Sequence, residues 1–143
     1  MNSTYSFLDL SGAMVTPVGA YIFTGEGIGD LTVSMLTDRT VHDTGADGSI
    51  MVSKIAGNNG SITINVQQTS NLHKFLLKWF NAMLIGDTAL WAASSILLRN
   101  VVIGTSHICT GISPQKVPDN PYQSQGQRVS WTLMCADIQN VPM

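Results

Sequence analysis

Asp38, Arg39, His42, Asp43 and Asp47 crowd into one short stretch of the chain. Carboxylates and an imidazole so close together could do acid–base or metal chemistry. In Asp43-Thr44-Gly45 a carboxylate stands beside a hydroxyl and a glycine. If a dimer brought two such carboxylates into contact they would share one proton, because two like charges there cannot both ionise. The pair would then activate a water molecule. His42, Asp43 and Asp47 also have the donor types of a metal site. Adjacent residues on a strand point to opposite faces, however, so His42 and Asp43 cannot grip one ion without a bend between them. The other histidines, His73 and His107, fall on separate elements. Cys109 and Cys135 have neither metal-ligand nor redox spacing, and a Cys–His nucleophile has no support beyond the residue types. The chain carries no phosphate loop, nucleotide fingerprint or hydrolase elbow.

The elements around Asp43 decide what it can do. Asp43-Thr-Gly-Ala-Asp47 resembles the active-site loop of retroviral-type aspartic proteases, and Leu98 to Val102 is similar to a later part of that family. In those enzymes an apolar strand leads into the loop and buries it. Here Thr37 to His42 leads in, and it is polar and charged. The interval between Gly48 and Arg99, where a glycine-rich flap would lie, holds a long helical pattern instead. Asp, Gly and Asp in this order also favour a tight bend between two strands. The bend reading leaves the chain with no catalytic, cofactor-binding or metal-ligating residue. A dimeric aspartic protease using Asp43 is the alternative from another class of function.

The remaining pattern is strands, one helix, then strands. Ser61 to Gln68 alternates, with Ile62, Ile64 and Val66 on one face. Leu31 to Met35 and Val129 to Cys135 alternate likewise, which is the period of a half-buried strand. Tyr5 to Leu10, Ala20 to Thr24, Ser49 to Ile55, Leu97 to Ile103 and His107 to Ile112 are further strand candidates, separated by glycine-rich breaks. Ala13 to Gly19 reads as a turn around Pro17, and Pro114 to Gln127 as a loop. Thr69 or Ser70 can cap a helix over about 70–84, and Gly86 can stop it. Leu72, Phe75, Leu76, Trp79, Phe80 and Met83 form its apolar stripe, a core face. Asn71, His73, Lys74, Lys78 and Asn81 are assigned to the polar side. The expected fold is therefore mainly β (α+β): one domain over 1–143, an antiparallel β-barrel or sandwich with one flanking amphipathic helix.

Composition narrows the partners. Only 11% of residues are charged, against about 25% in an ordinary soluble domain. Ser, Thr, Asn and Gln number 43. Interfaces favour such a surface, since desolvating an amide or hydroxyl costs less than desolvating a charge. The net charge is −2 with no basic run, so nucleic acid is not held through phosphate contacts. Nothing approaches the roughly 18 apolar residues of a membrane span, and the start of the chain does not read as a secretory signal. Cytosolic synthesis and two buried free thiols are expected.

Taken whole, the chain resembles tail tube proteins of contractile-tailed bacteriophages. The likeness starts at Tyr5-Ser-Phe-Leu-Asp9 and passes through Gly25 to Gly29 into Leu31 to Met35. It continues with Gly45-Ala-Asp-Gly-Ser49, Met51, Ala56-Gly57 and the strand Gly60 to Val66. The helix, Ala89-Leu-Trp91 and a final strand with Trp131 complete it. The resemblance implies a virion structural protein of the tail-tube fold, assembled in the bacterial host and made into hexameric rings that stack. Six copies would carry a formal −12 per ring, from −2 each. It implies no cofactor and no membrane insertion. Phage DNA would pass through the lumen without specific binding. Sheath, baseplate or tail initiator, tape-measure and tail terminator proteins would be partners. A hairpin arm over about 36–51 would reach a neighbouring subunit or ring, making Asp38, Arg39, His42, Asp43 and Asp47 contact residues. A tube protein of a phage-derived injection or secretion system is the close alternative.

Overall fold

The computed structural model describes residues 3–23, 25 and 27–142. A short 3-10 turn, Phe7–Asp9, leads into strands β1 (Leu10–Thr16), β2 (Gly19–Phe23) and β3 (Ile28–Met35). Strands β4 (Thr40–Thr44), β5 (Ile50–Lys54) and β6 (Gly60–Gln67) follow. Helix α1 (Asn71–Ile85) and a second 3-10 turn (Thr88–Leu90) precede β7 (Ser94–Asn100), β8 (Thr105–Pro114) and β9 (Arg128–Pro142). Seven strands form one antiparallel sheet in the order β2-β1-β7-β8-β9-β6-β3, while β4 and β5 pair separately.

That order forces the sheet to curl. β2 and β3 lie at its two ends, yet they are consecutive, separated only by positions 24–27. Seven flat strands would span six spacings of about 4.8 Å, roughly 29 Å. The connection reaches no more than roughly 18 Å. The sheet therefore bends into a half-barrel. The long strands β8 and β9 run through the bend: β9 pairs with β6 along Arg128–Cys135, and its later part continues along β8.

The concave face holds the core. Met14, Ile96, Leu98, Cys109, Ile112, Ile62, Ile64, Val66, Val129, Trp131 and Leu133 are buried there together with Leu72, Leu76 and Trp79 of α1. Ser70 caps the helix by accepting from the Leu72 amide at 3.2 Å. At about 25 cal/mol per Å² of apolar surface, this shared burial holds the helix against the sheet.

Several boundaries differ from the sequence reading. Residues 5–9 do not form a strand; the strand begins at Leu10 and takes in Ala13–Thr16, leaving Pro17 and Val18 as the turn. Thr16 makes so short a turn possible, its hydroxyl donating to the Gly19 carbonyl at 2.7 Å. β7 ends at Asn100 because its side chain accepts from the amides of Val102 (3.1 Å) and Ile103 (3.3 Å), which bends the chain. β9 runs on to Pro142, well past Cys135, along β8. Thr24, from the expected second strand, and Glu26, from the glycine-rich break, lie outside the described residues.

Candidate functional site

Residues 40–54 make a hairpin that stands apart from the main sheet, and every residue of its two strands is exposed. The register pairs Thr40 with Lys54, His42 with Val52, Asp43 with Met51 and Thr44 with Ile50. The bend over 45–49 is closed by backbone bonds from the Gly45 amide to the Ser49 carbonyl (2.8 Å) and from Gly48 to Gly45 (3.0 Å). Gly48 has φ +87, a conformation in which a Cβ would be strained. The Asp47 carboxylate accepts from the Ser49 amide at 3.1 Å and its hydroxyl at 2.6 Å. Those two bonds hold the carboxyl below its ordinary value of 3.8. Asp47 thus serves as a turn former.

Asp43 and His42 alternate along β4 and point to opposite faces of the ribbon. Asp43-Thr44-Gly45 sits at an exposed strand end and not in a buried cleft. Among the described residues no three His, Cys, Asp or Glu side chains gather into a metal-binding group. Asp38 is exposed at the hairpin's root. Arg39 is tied down there, with its guanidinium donating to the Asn58 side chain and to the Ile55 carbonyl (3.4 Å). The Ile55 amide returns to the Arg39 carbonyl at 2.9 Å, and Thr37 bonds Asn59. The root is stitched, while the ribbon beyond it is free of the body.

The sequence reading passed over the hairpin's apolar residues. Val41 and Met51 occupy one face, Ile50 and Val52 the other, all about half exposed or more. The signal was present: Ile50-Met51-Val52 is an unbroken apolar run, and on a strand such a run makes both faces apolar.

On α1, Leu72, Leu76, Trp79 and Met83 are buried, while Phe75 and Phe80 flank them half-buried. Phe75 stacks on Tyr21 with ring centroids 5.4 Å apart. His73 departs from expectation, for it is buried and not on the polar side. Its Nδ1 accepts from the Trp131 indole N–H at 3.0 Å, and Asn120 bonds the same ring. Burial is the main reason its pKa falls below 6.5. Trp79, the other buried indole, donates to Ser94 Oγ at 2.9 Å. Cys109 and Cys135 are buried free thiols close enough to bond each other, and that contact with burial pushes the Cys135 thiol up.

A curled antiparallel half-barrel with one packed helix is consistent with the tail-tube fold. The chain belongs to the bacteriophage PhiTE tail tube protein family, whose model matches residues 2–142. No curated protein matches it in sequence. Solved structures share the fold at low identity. A chain of the anti-feeding prophage baseplate, 6-fold symmetrised, superposes with TM-score 0.65 at 12% identity, covering 99% of this chain and 98% of that one. A chain of the PVC extracellular contractile injection system sheath-tube complex gives 0.62 at 10%, covering 98% and 93%. A chain of the anti-feeding prophage tube-terminating cap gives 0.63 at 10%, covering 100% and 94%. Among the described residues no helix is long and apolar enough to cross a membrane.

Proposed function

We propose that this tail tube protein assembles as hexameric rings that stack into the tube of a phage particle, with the hairpin over 40–54 as the arm joining one copy to the next. The observation that carries this is the ribbon itself: exposed, paired apart from the main sheet, and bearing exposed apolar side chains on each face. A two-stranded ribbon is marginal alone in water and gains stability when its faces are covered. Val41, Ile50, Met51 and Val52 supply the apolar contact, with Asp43 directly opposite Met51 and His42 directly opposite Val52 as polar partners within the two faces and Asp38 at the root. The work is mechanical. The tube conducts phage DNA without gripping it, seats a sheath, and is begun and ended by initiator and terminator proteins.

The test replaces residues 41–53 by a short glycine-serine link. The stitched root stays, so the body should fold, its far-ultraviolet spectrum losing only the ribbon's strand signal. Negative-stain microscopy should then find no tubes where the intact chain forms them; normal tubes from the shortened chain would sink the arm assignment. A second reading, the tube of a contractile injection system, draws support from the likeness to chains of such machines. It shares the same fold and arm, and differs in whether DNA fills the bore.

A further inference from the structure

The chain's two cysteines stand on neighbouring strands, Cys109 on β8 and Cys135 on β9. They are not opposite each other in the register: Cys109 pairs with Ile138, and Cys135 with Ile112. On a regular ladder, residues three apart point to opposite faces. Here Cys109 and Ile112 are both buried, and so are Cys135 and Ile138. Both strands therefore change phase between the two pairs. The change falls at Gly111, whose φ of +65 lies outside the extended region. Ala136 faces it so closely that a Cβ on Gly111 would meet the Ala136 Cβ at 2.6 Å. The curl of these strands is concave toward the core, and a curve shortens its inner side. The Cys135 thiol thereby comes within hydrogen-bond reach of the Cys109 sulfur.

That contact sets an order between the thiols. Cys135 donates to Cys109, which favours the Cys109 thiolate and holds it below the ordinary thiol value. The same bond, together with burial, pushes Cys135 up. A favoured thiolate beside a second thiol is the arrangement in which a sulfenic acid, once formed, is captured as a disulfide. Burial selects the oxidant. Cys109 is 0% and Cys135 3% exposed, so a bulky disulfide is kept out. Hydrogen peroxide, little larger than water, can enter as the core breathes. Sulfurs already in contact need only close to about 2.0 Å to bond.

We propose that Cys109 and Cys135 are a latent staple: two thiols while the chain is made in a reducing cytosol, and one disulfide across β8 and β9 once hydrogen peroxide reaches them. The Cys109 thiolate attacks a peroxide oxygen, the O–O bond breaks, and hydroxide leaves to take up a proton. Cys109 is then a sulfenic acid. The Cys135 sulfur displaces its hydroxyl, and the Cys135 proton departs with that hydroxyl as water. Both thiols are oxidised, and one peroxide is reduced to two waters. The new bond crosses the curl and closes a loop around the irregular segment 115–127. This chemistry rests on the pair alone. Its use, in a particle that leaves the cell for oxidising surroundings, rests on the tube reading above.

The test uses the full native chain, purified with reductant, desalted, and exposed unassembled to hydrogen peroxide at neutral pH. Mass mapping without reductant should find the peptides of Cys109 and Cys135 joined within one chain. The melting temperature should rise by roughly 5–10 °C, and dithiothreitol should reverse that rise. Dimedone should trap a sulfenic acid on Cys109 in Cys135→Ala and none on Cys135 in Cys109→Ala. The native chain decides the pairing without those variants. Two free thiols, after the peroxide has consumed glutathione in the same tube, overturn the proposal. So does a disulfide that joins separate chains, or one that lowers the melting temperature. Tubes harvested outside the cell with the pair still reduced would overturn its use there. Failure of the native chain to form tubes would instead remove the tube reading and leave the pairing in the free subunit standing.

Discussion

Two buried indoles with polar partners set the terms at the residue scale. Trp131 donates to His73 Nδ1, so that ring must stay neutral with its proton on Nε2. Above pH 6.5 folded and unfolded chains both carry neutral imidazole, and the full stability is present. As pH falls through 6.5 the unfolded chain takes a proton that the folded chain refuses. Stability then declines until the lower folded value is reached. Urea unfolding of the unassembled chain at about pH 7.5 and about pH 5 should show this decline. In His73→Gln, whose carbonyl accepts from the indole at every pH, the part owed to His73 should vanish; an unchanged decline would exonerate His73. Trp131→Phe removes the donor and leaves a buried acceptor bare, and should cost about 1–3 kcal/mol in the same assay. The helical period places His73 beside the apolar stripe but cannot reveal that a tryptophan 58 positions away donates to it.

At the scale of elements, α1 was legible because its stripe repeats at the helical period, and β6 because it alternates. Leu76→Ala, at the centre of the stripe and fully buried, should cost about 2–5 kcal/mol by denaturation. β1 was not legible, since Ala13 to Gly19 reads as a turn around Pro17 and the strand is fixed by pairing with β7 on one side and β2 on the other. The junction of β3, β6 and β9 depends on Gly60, where a side chain would meet the Ser34 carbonyl and the Ile138 methyl. Gly60→Ala should therefore lower stability by about 1–3 kcal/mol, read as a fall in melting temperature. The hairpin behaves in the opposite way: changes at Met51 or Val52 should leave the melting of the free subunit unaltered and weaken assembly alone, because the ribbon pairs only within itself.

On the scale of the whole molecule, low charge is the governing property. A tube built from subunits with so few charged residues should not hold a polyanion. Thr63→Lys would add one cation per copy to the outward face of β6 and β9, where Arg128 already stands two rows away. Tubes of this variant should sediment with duplex DNA at low salt, while wild-type tubes leave it in solution. The acquired binding should fall on the order of 10^3-fold between about 50 and about 200 mM salt. Equal sedimentation by both tubes, or by neither, would mean that Thr63 does not face the DNA.

The sequence by itself determined the period of each element, the scarcity of charge, the stripe on α1 and the order of motifs that marks a tail tube protein. These are local or additive properties, and a linear pattern carries them whole. Only the tertiary structure decided that seven strands curl so that β2 and β3, neighbours in sequence, become opposite ends of one sheet. It also decided the register that sets Thr32, Thr63 and Thr132 in one row and Ile22, Ala13, Leu97 and Ile108 in another. Pairing between distant strands depends on which edges meet after the chain has closed its loops. A residue's neighbours along the chain do not encode its neighbours across the sheet.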